Sequence, residues 1–246
     1  MNKLLILWIC LSTPLAYANT RYINQIADFT QTDVIGASYG NGQQFCGPTA
    51  VSNSIIWLSN DRYSQLDLIK KLASKPYMNT SLKNGTGTKG MLRGIHKITN
   101  ELFGRYTSLS YQGWRKHQKK YSTDKKVPDL KWLQQGISAE SSVWLNIGWY
   151  KRAPNHVDLI RTGGHWVTLV GYQGNNTLIL HDPSPRAGKS FANEYVRIEE
   201  LKSGKLTGKK QGLPIDAKGF LALKEGMHMK KKADYAIIDG AIQLRL

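Results

Sequence analysis

The residues of this chain that could do covalent chemistry are few. Cys46 lies in Gln43-Gln44-Phe45-Cys46-Gly47-Pro48-Thr49-Ala50, just ahead of a segment predicted to be helical from Pro48 to Leu58. Backbone N–H groups at a helix start lack partners and the helix dipole is positive there, which favours thiolate over thiol. The same N–H groups point at an oxyanion formed on any carbonyl that the sulfur attacks. The competing reading is a small buried hydrophobe, which would have no need of this position. The second cysteine, Cys10, falls in an apolar run at the start of the chain. Without that run, Cys46 has no disulfide partner and no companion thiol for a metal site.

A thiolate nucleophile needs a base that also protonates the leaving group, and histidine suits that task near neutral pH. Of six histidines, His165 stands out. Gly163-Gly164 before it leave room for substrate, and Trp166-Val167-Thr168-Leu169-Val170-Gly171-Tyr172 after it reads as a strand that would hold it. His96 falls in a predicted helix, and His117 and His228 lie near lysines. Strand 165–172 leads to strand 177–182 through Gln173-Gly174-Asn175-Asn176, a good hairpin turn. With Gly174-Asn175 as the turn, Asp182 faces Val167; with Gln173-Gly174, it faces His165. Both registers put Asp182 on the face of His165, because side chains alternate with period two. A three-residue loop would bring His181 to that face instead. Asp182 is thus favoured to accept a hydrogen bond from the imidazole and fix its tautomer. Asp182-Pro183-Ser184-Pro185 is also a turn-initiating sequence in its own right.

The elements that must position these groups change character along the chain. Val51, Ile55 and Leu58 recur at helical spacing, and Tyr63 to Ala73 reads as a second, amphipathic helix. Thr88 is a candidate cap for a third helix through Met91, Ile95 and Ile98, and Asp129 to Gln135 forms a short fourth. The basic stretch from Tyr106 to Lys126 reads as an exposed, partly irregular excursion. Beyond it, segments 143–147, 165–172, 177–182, 194–198, 219–223 and 235–238 read as strands. Helices followed by strands make an α+β layout, with a helical N-terminal lobe facing a C-terminal sheet across a cleft.

Cys46-Gly47-Pro48-Thr49-Ala50, Gly164-His165-Trp166-Val167 and His181-Asp182-Pro183 together resemble the papain-like cysteine peptidases related to the bacteriocin leader-processing (double-glycine) peptidases. The resemblance implies a papain-like fold with an N-terminal helical lobe, the cysteine at a helix start and a C-terminal antiparallel sheet. It also implies acyl transfer by a Cys46–His165–Asp182 triad through a thioester, with peptide bonds as the default substrate. That family usually places an oxyanion-hole glutamine six residues before the cysteine, where this chain has Gly40. Gln43, Gln44 or, across a longer loop, Gln25 are the candidate replacements. Loss of one such donor costs ~10²- to 10³-fold in rate.

Met1-Asn2-Lys3, an apolar run from Leu4 to Leu11 and Ala16-Tyr17-Ala18 form the pattern of a secretory signal over residues 1–18. The expected mature domain, 19–246, is then periplasmic or secreted, and its formal charge drops from +17 to +16 with the loss of Lys3. Such charge favours an acidic partner, including a component of the cell envelope. No recognition motif accompanies it, which ranks nucleic acid low. No histidine pair has helical ligand spacing, so neither metal nor other cofactor is expected. The expectation is therefore an exported cysteine hydrolase of peptide or amide bonds. Its rivals are an acyltransferase on the same fold and a catalytically weak or inactive binding protein. The second rival rests on the basic run of Lys116, Lys119, Lys120, Lys125 and Lys126.

Overall fold

The computed structural model describes residues 20–32, 37–187, 193–208 and 213–246; the signal-like segment 1–18 lies outside them. The elements, in chain order, begin with β1 (Thr20–Tyr22), α1 (Cys46–Leu58), α2 (Gln65–Ala73), α3 (Thr88–Phe103), β2 (Ser108–Gly113) and α4 (Leu130–Gln135). They continue with β3 (Ser141–Arg152), β4 (Leu159–Gln173), β5 (Thr177–His181), β6 (Glu194–Glu200), β7 (Lys205–Thr207), β8 (Ile215–Asp216), β9 (Leu221–Leu223) and β10 (Tyr235–Arg245). A few helices against a large, almost wholly antiparallel sheet make the fold α+β.

The sheet closes on itself. Strand β3 pairs with β4, β4 with β5, β5 with β6, β6 with β9 and β9 with β10, and β10 returns to β3, each pair antiparallel. Closure pairs these six strands with one another and leaves the sheet's edges to flanking strands such as β2 and β8. The alternation of the strands explains what fills the barrel. Val143, Leu145, Ile147, Val167, Leu169, Leu178, Leu180, Val196 and Ile198 pack into one buried cluster. Strand β2 lies along β10, β1 along the end of β4, and β7 runs parallel to the start of β4.

The opposite side chains of β3, β4 and β10 serve the helices. Trp144, Trp166, Ile242 and Leu244 form one core with Ala50, Val51 and Ile55 of α1, Leu72 of α2, and Met91, Ile95 and Ile98 of α3. Helix α1 is wrapped on nearly every side, so even Thr49, Ser52, Asn53 and Ser54 are buried. Buried polar atoms need partners, and the oxygens of Ser52 and Asn53 accept from Gln65 Nε2 at 2.6 and 2.9 Å. The carbonyl of Ala50 accepts from both Trp144 Nε1 (3.1 Å) and Thr168 Oγ1 (2.8 Å), which pins the first turn of α1 to the barrel wall.

Three expectations are corrected. Residues 106–126 are not an exposed excursion throughout: 108–113 is a strand, and Tyr111 and Tyr121 are buried in the helix–sheet core. Its polar Ser and Gln residues hide the alternation that Leu109 and Tyr111 carry. Thr88 is the first residue of α3 rather than its cap; Gly87 occupies that place, with no side chain to bond the free N–H groups. The hairpin turn between β4 and β5 is the three-residue form, with Gln173 opposite Thr177. By itself that turn would bring His181 to the face of His165. A bulge between Leu169 and Gly171 restores the phase, so that His181 pairs with Thr168. The extra residue, Val170, packs with Ile26 and Ile179 under β1.

Candidate active site

The first turn of α1 and the start of the barrel segment of β4 bring Cys46 and His165 side by side, close enough for each to shift the pKa of the other. His165 Nε2 lies 2.5 Å from Asp182 Oδ1, so Nδ1 is the ring nitrogen left for the sulfur. The same Asp182 oxygen accepts from Ser184 N at 2.8 Å, which holds the carboxylate where β5 ends. His165 and Asp182 are both buried. The indole of Trp149 stacks on the imidazole at 5.9 Å and 22°, and the Arg186 guanidinium lies over that indole at 5.4 Å. His181, the rival of Asp182, is engaged elsewhere: its ring nitrogens reach Ala27 O (3.2 Å) and Asn193 Oδ1 (2.8 Å).

The electrostatics follow from this packing. Burial would raise the Cys46 thiol, but the hydrogen bond and charge of His165, with N–H groups from Trp166 and Gly47, outweigh it and lower its pKa. Burial likewise opposes charge on His165, yet Asp182 and Cys46 push it up to about 10. Asp182 is held below the usual carboxylate range because His165 outweighs its own burial. The arrangement therefore favours thiolate beside imidazolium.

The glutamines separate clearly. Gln25 is exposed just beyond β1 and lines neither cavity that contains Cys46. Gln44 borders both cavities, and Gln43 borders one. Gln31, which the expected spacing overlooked, is buried and borders the same cavity as Cys46 and His165. Its amide Nε2 donates to Gly42 O (3.0 Å) and Gln43 O (2.7 Å), and its backbone N–H donates to Pro183 O (2.7 Å). It thus ties the loop before the cysteine to the segment after Asp182. Gly42 has φ +71, and a Cβ there would lie 1.8 Å from Gln31 O, so the clamp requires glycine. The legible signal was only a glutamine upstream at an unexpected distance. The backbone N–H of Cys46, at a helix start without a side-chain cap, is a further donor beside the sulfur. Among the described residues no three His, Cys, Asp or Glu side chains converge as metal ligands would.

Behind the site, Glu194 Oε2 accepts from Asp182 N at 3.1 Å. Burial, then the charges of Asp28 and Asp182, push its carboxyl up to about 8. The folded chain therefore keeps a proton that the unfolded chain releases above the ordinary value of 4.5. The contribution of Glu194 to stability should fall as pH rises from about 4.5 to about 8, by at most ~1.4 kcal/mol per pH unit. Glu194→Gln should flatten that decline, and its melting temperature should gain on wild type steadily across the window. Parallel melting curves for the two proteins would count against the raised pKa.

The sequence matches the Peptidase_C39-like family over residues 17–203, a span that includes Cys46, His165 and Asp182. Among solved structures, one described as a C39-like peptidase from Bacillus anthracis is 10% identical, with 93% of this chain and 98% of that chain covered and a TM-score of 0.42. No curated protein matches the chain.

Proposed function

This chain belongs to the Peptidase_C39-like family of cysteine peptidases, and from that premise we propose that it hydrolyses peptide bonds through a Cys46–His165–Asp182 triad. The observation that carries this reading is the buried His165–Asp182 hydrogen bond, with Cys46 beside His165 at the start of α1 and bordering the same cavities. In the proposed mechanism, Cys46 Sγ attacks the carbonyl carbon and the π electrons move to oxygen. The Cys46 N–H and a glutamine amide bordering the cavity receive that oxyanion. As the oxyanion collapses, the C–N bond breaks and His165 Nδ1–H protonates the leaving amine, which leaves a thioester. His165 then takes a proton from water, the hydroxide adds to the thioester, and the acid departs as thiolate and imidazolium are restored. Asp182 keeps its charge throughout and orients the ring.

In the same reading, residues 19–246 form one papain-like domain, its helical lobe and barrel flanking the cleft with the nucleophile at the start of α1. The signal-like residues 1–18 support export to the periplasm or beyond. No helix among the described residues is long and apolar enough to cross a membrane.

Iodoacetamide titration of the thiol tests the pair directly. Wild type should alkylate rapidly well below pH ~8.5, the ordinary range of a thiol. In His165→Ala the imidazolium is gone and only the Trp166 and Gly47 N–H groups oppose burial, so labelling at pH ~6 should fall steeply and recover toward alkali. Slow wild-type labelling that His165→Ala leaves unchanged would overturn the reading.

A further inference from the structure

The cleft beside Cys46 carries a second set of chemistry that the triad does not use. Its cavity, about 430 Å³, is bordered by Cys46, His165 and Asn146 and also by Lys89, Arg115, Lys116 and Arg161, with no acidic side chain on its walls. The way the two arginines are held is specific. A register slip between Ile238 and Gly240 leaves Asp239 as a bulged residue in β10, and bulges near active sites commonly re-aim a side chain. Asp239 is completely buried. Its Oδ2 takes Arg161 Nε at 2.5 Å, while Oδ1 takes Trp114 Nε1 at 2.9 Å and the Tyr150 hydroxyl. One carboxylate thus grips Arg161 by its inner nitrogen only.

The outer nitrogens of Arg161 lie against Gly164, the neighbour of His165. A Cβ at Gly164 would sit 2.3 Å from Nη2 and 3.4 Å from Nη1. Neither outer nitrogen has a hydrogen-bond partner among the described residues. Arg115 stacks on Trp114 at 4.7 Å and has no carboxylate partner among the described residues. Burial first, then the charge of Arg161, lowers its pKa. Helix α3, uncapped at Gly87, opens on the same cavity. One guanidinium thus holds an inward-facing anion by its inner nitrogen alone, the other has no carboxylate partner among the described residues, and both border the space where substrate must lie.

We propose that Arg115 and Arg161 form a subsite for a carboxylate of the peptide substrate, so that the enzyme selects an acidic group close to the scissile bond. This rests on the peptidase reading and supplies its substrate class. A planar fork is suited to carboxylate in a way that a lysine ammonium is not. The carboxylate belongs either to an Asp or Glu side chain or to a free C-terminus.

The test uses short peptide pools that carry Glu or Gln in turn at each position flanking the cleaved bond, each made as free acid and as C-terminal amide. Glu at one position should raise kcat/KM at least ~10-fold over Gln, through KM, if a side chain is bound. Loss of cleavage on amidation, with no Glu preference, identifies the C-terminus instead. Arg115→Gln should collapse whichever ratio is found, and Arg161→Lys, which keeps a cation beside Asp239, should reduce it. Equal rates on acid and amide isosteres would overturn the subsite. Binding of the same pools to Cys46→Ala, followed by fluorescence polarisation, separates this from the peptidase reading. Arg115-dependent binding of acidic peptides without turnover by wild type would leave the subsite standing and sink the peptidase. Turnover without any discrimination would do the reverse.

Discussion

Cys46→Ala should reduce kcat/KM on any peptide that the wild type cleaves by about 10⁶-fold, with its melting temperature close to wild type. The magnitude follows from the proposed covalent route, which has no first step without the sulfur. His165→Ala should be nearly as damaging, because the thiolate and the proton for the leaving amine both depend on that ring. The double variant should lose little more than either single one, since groups that act as a unit are strongly non-additive. Asp182→Asn should cost less. An amide oxygen in the place of Oδ1 still accepts from His165 Nε2 and Ser184 N, so only the charge that supports imidazolium is lost. Steady-state kinetics on the four variants, with melting curves to confirm folding, check the ranking. A Cys46→Ala chain that retained more than a thousandth of wild-type activity would mean that another nucleophile does the work.

The part of this site that the sequence displayed is the part made of local pattern. Cys46 before a helical segment and His165 behind two glycines are read within a few residues each, and both elements are present. The shared face of His165 and Asp182 was also legible, but by a route that differs from the real one. A three-residue turn displaces the register and a bulge at Val170 displaces it back. Parity survives two such shifts, and no propensity of Val170 announces a bulge. Barrel closure was hidden for a related reason: it depends on β10 returning to β3 across ninety-odd residues of chain, and alternation says which face is buried without naming the partner strand. Strand β2 was missed because Ser108, Ser110 and Gln112 look like solvent-facing loop residues. Gln112 is nevertheless buried, its side-chain oxygen accepting from Asp129 N at 2.8 Å.

Position of the glutamines shows the same limit at the site itself. Spacing to Cys46 directs attention to Gln43, Gln44 and Gln25, whereas contact with the cleft depends on how the loop folds back. Gln31 reaches it because its amide is bonded to two loop carbonyls and its backbone to Pro183. The basic walls of the cleft come from α3, the segment that follows β2, and β4, and linear charge counting merges them with exposed lysines such as Lys119 and Lys120. What distinguishes Arg161 from those is a carboxylate 78 residues away, a relation that only the folded chain contains.

That carboxylate is where stability and selectivity should come apart. Asp239→Ala leaves Arg161 Nε, Trp114 Nε1 and the Tyr150 hydroxyl facing an empty site, a buried cation among them. Removing one partner of such a pair costs about 3–5 kcal/mol, and for a chain of this size that lowers Tm by roughly 10 °C. Asp239→Asn keeps the shape but turns one acceptor into a donor among donors, so it should fall between wild type and Asp239→Ala. The double variant Asp239→Leu with Arg161→Met removes both charges and fills the volume, and it should recover most of the lost Tm, because a buried ion pair contributes little beyond an apolar one. It should not recover any preference for acidic peptides, since the guanidinium that carries it is gone. Melting curves and Glu-to-Gln rate ratios on the same three proteins separate the two properties. If the double variant melts with wild type and still prefers Glu, Arg161 is structural and the selectivity lies elsewhere. If it melts with wild type and has lost the preference, the bulged Asp239 is retained for what it holds out into the cleft, at no benefit to the fold.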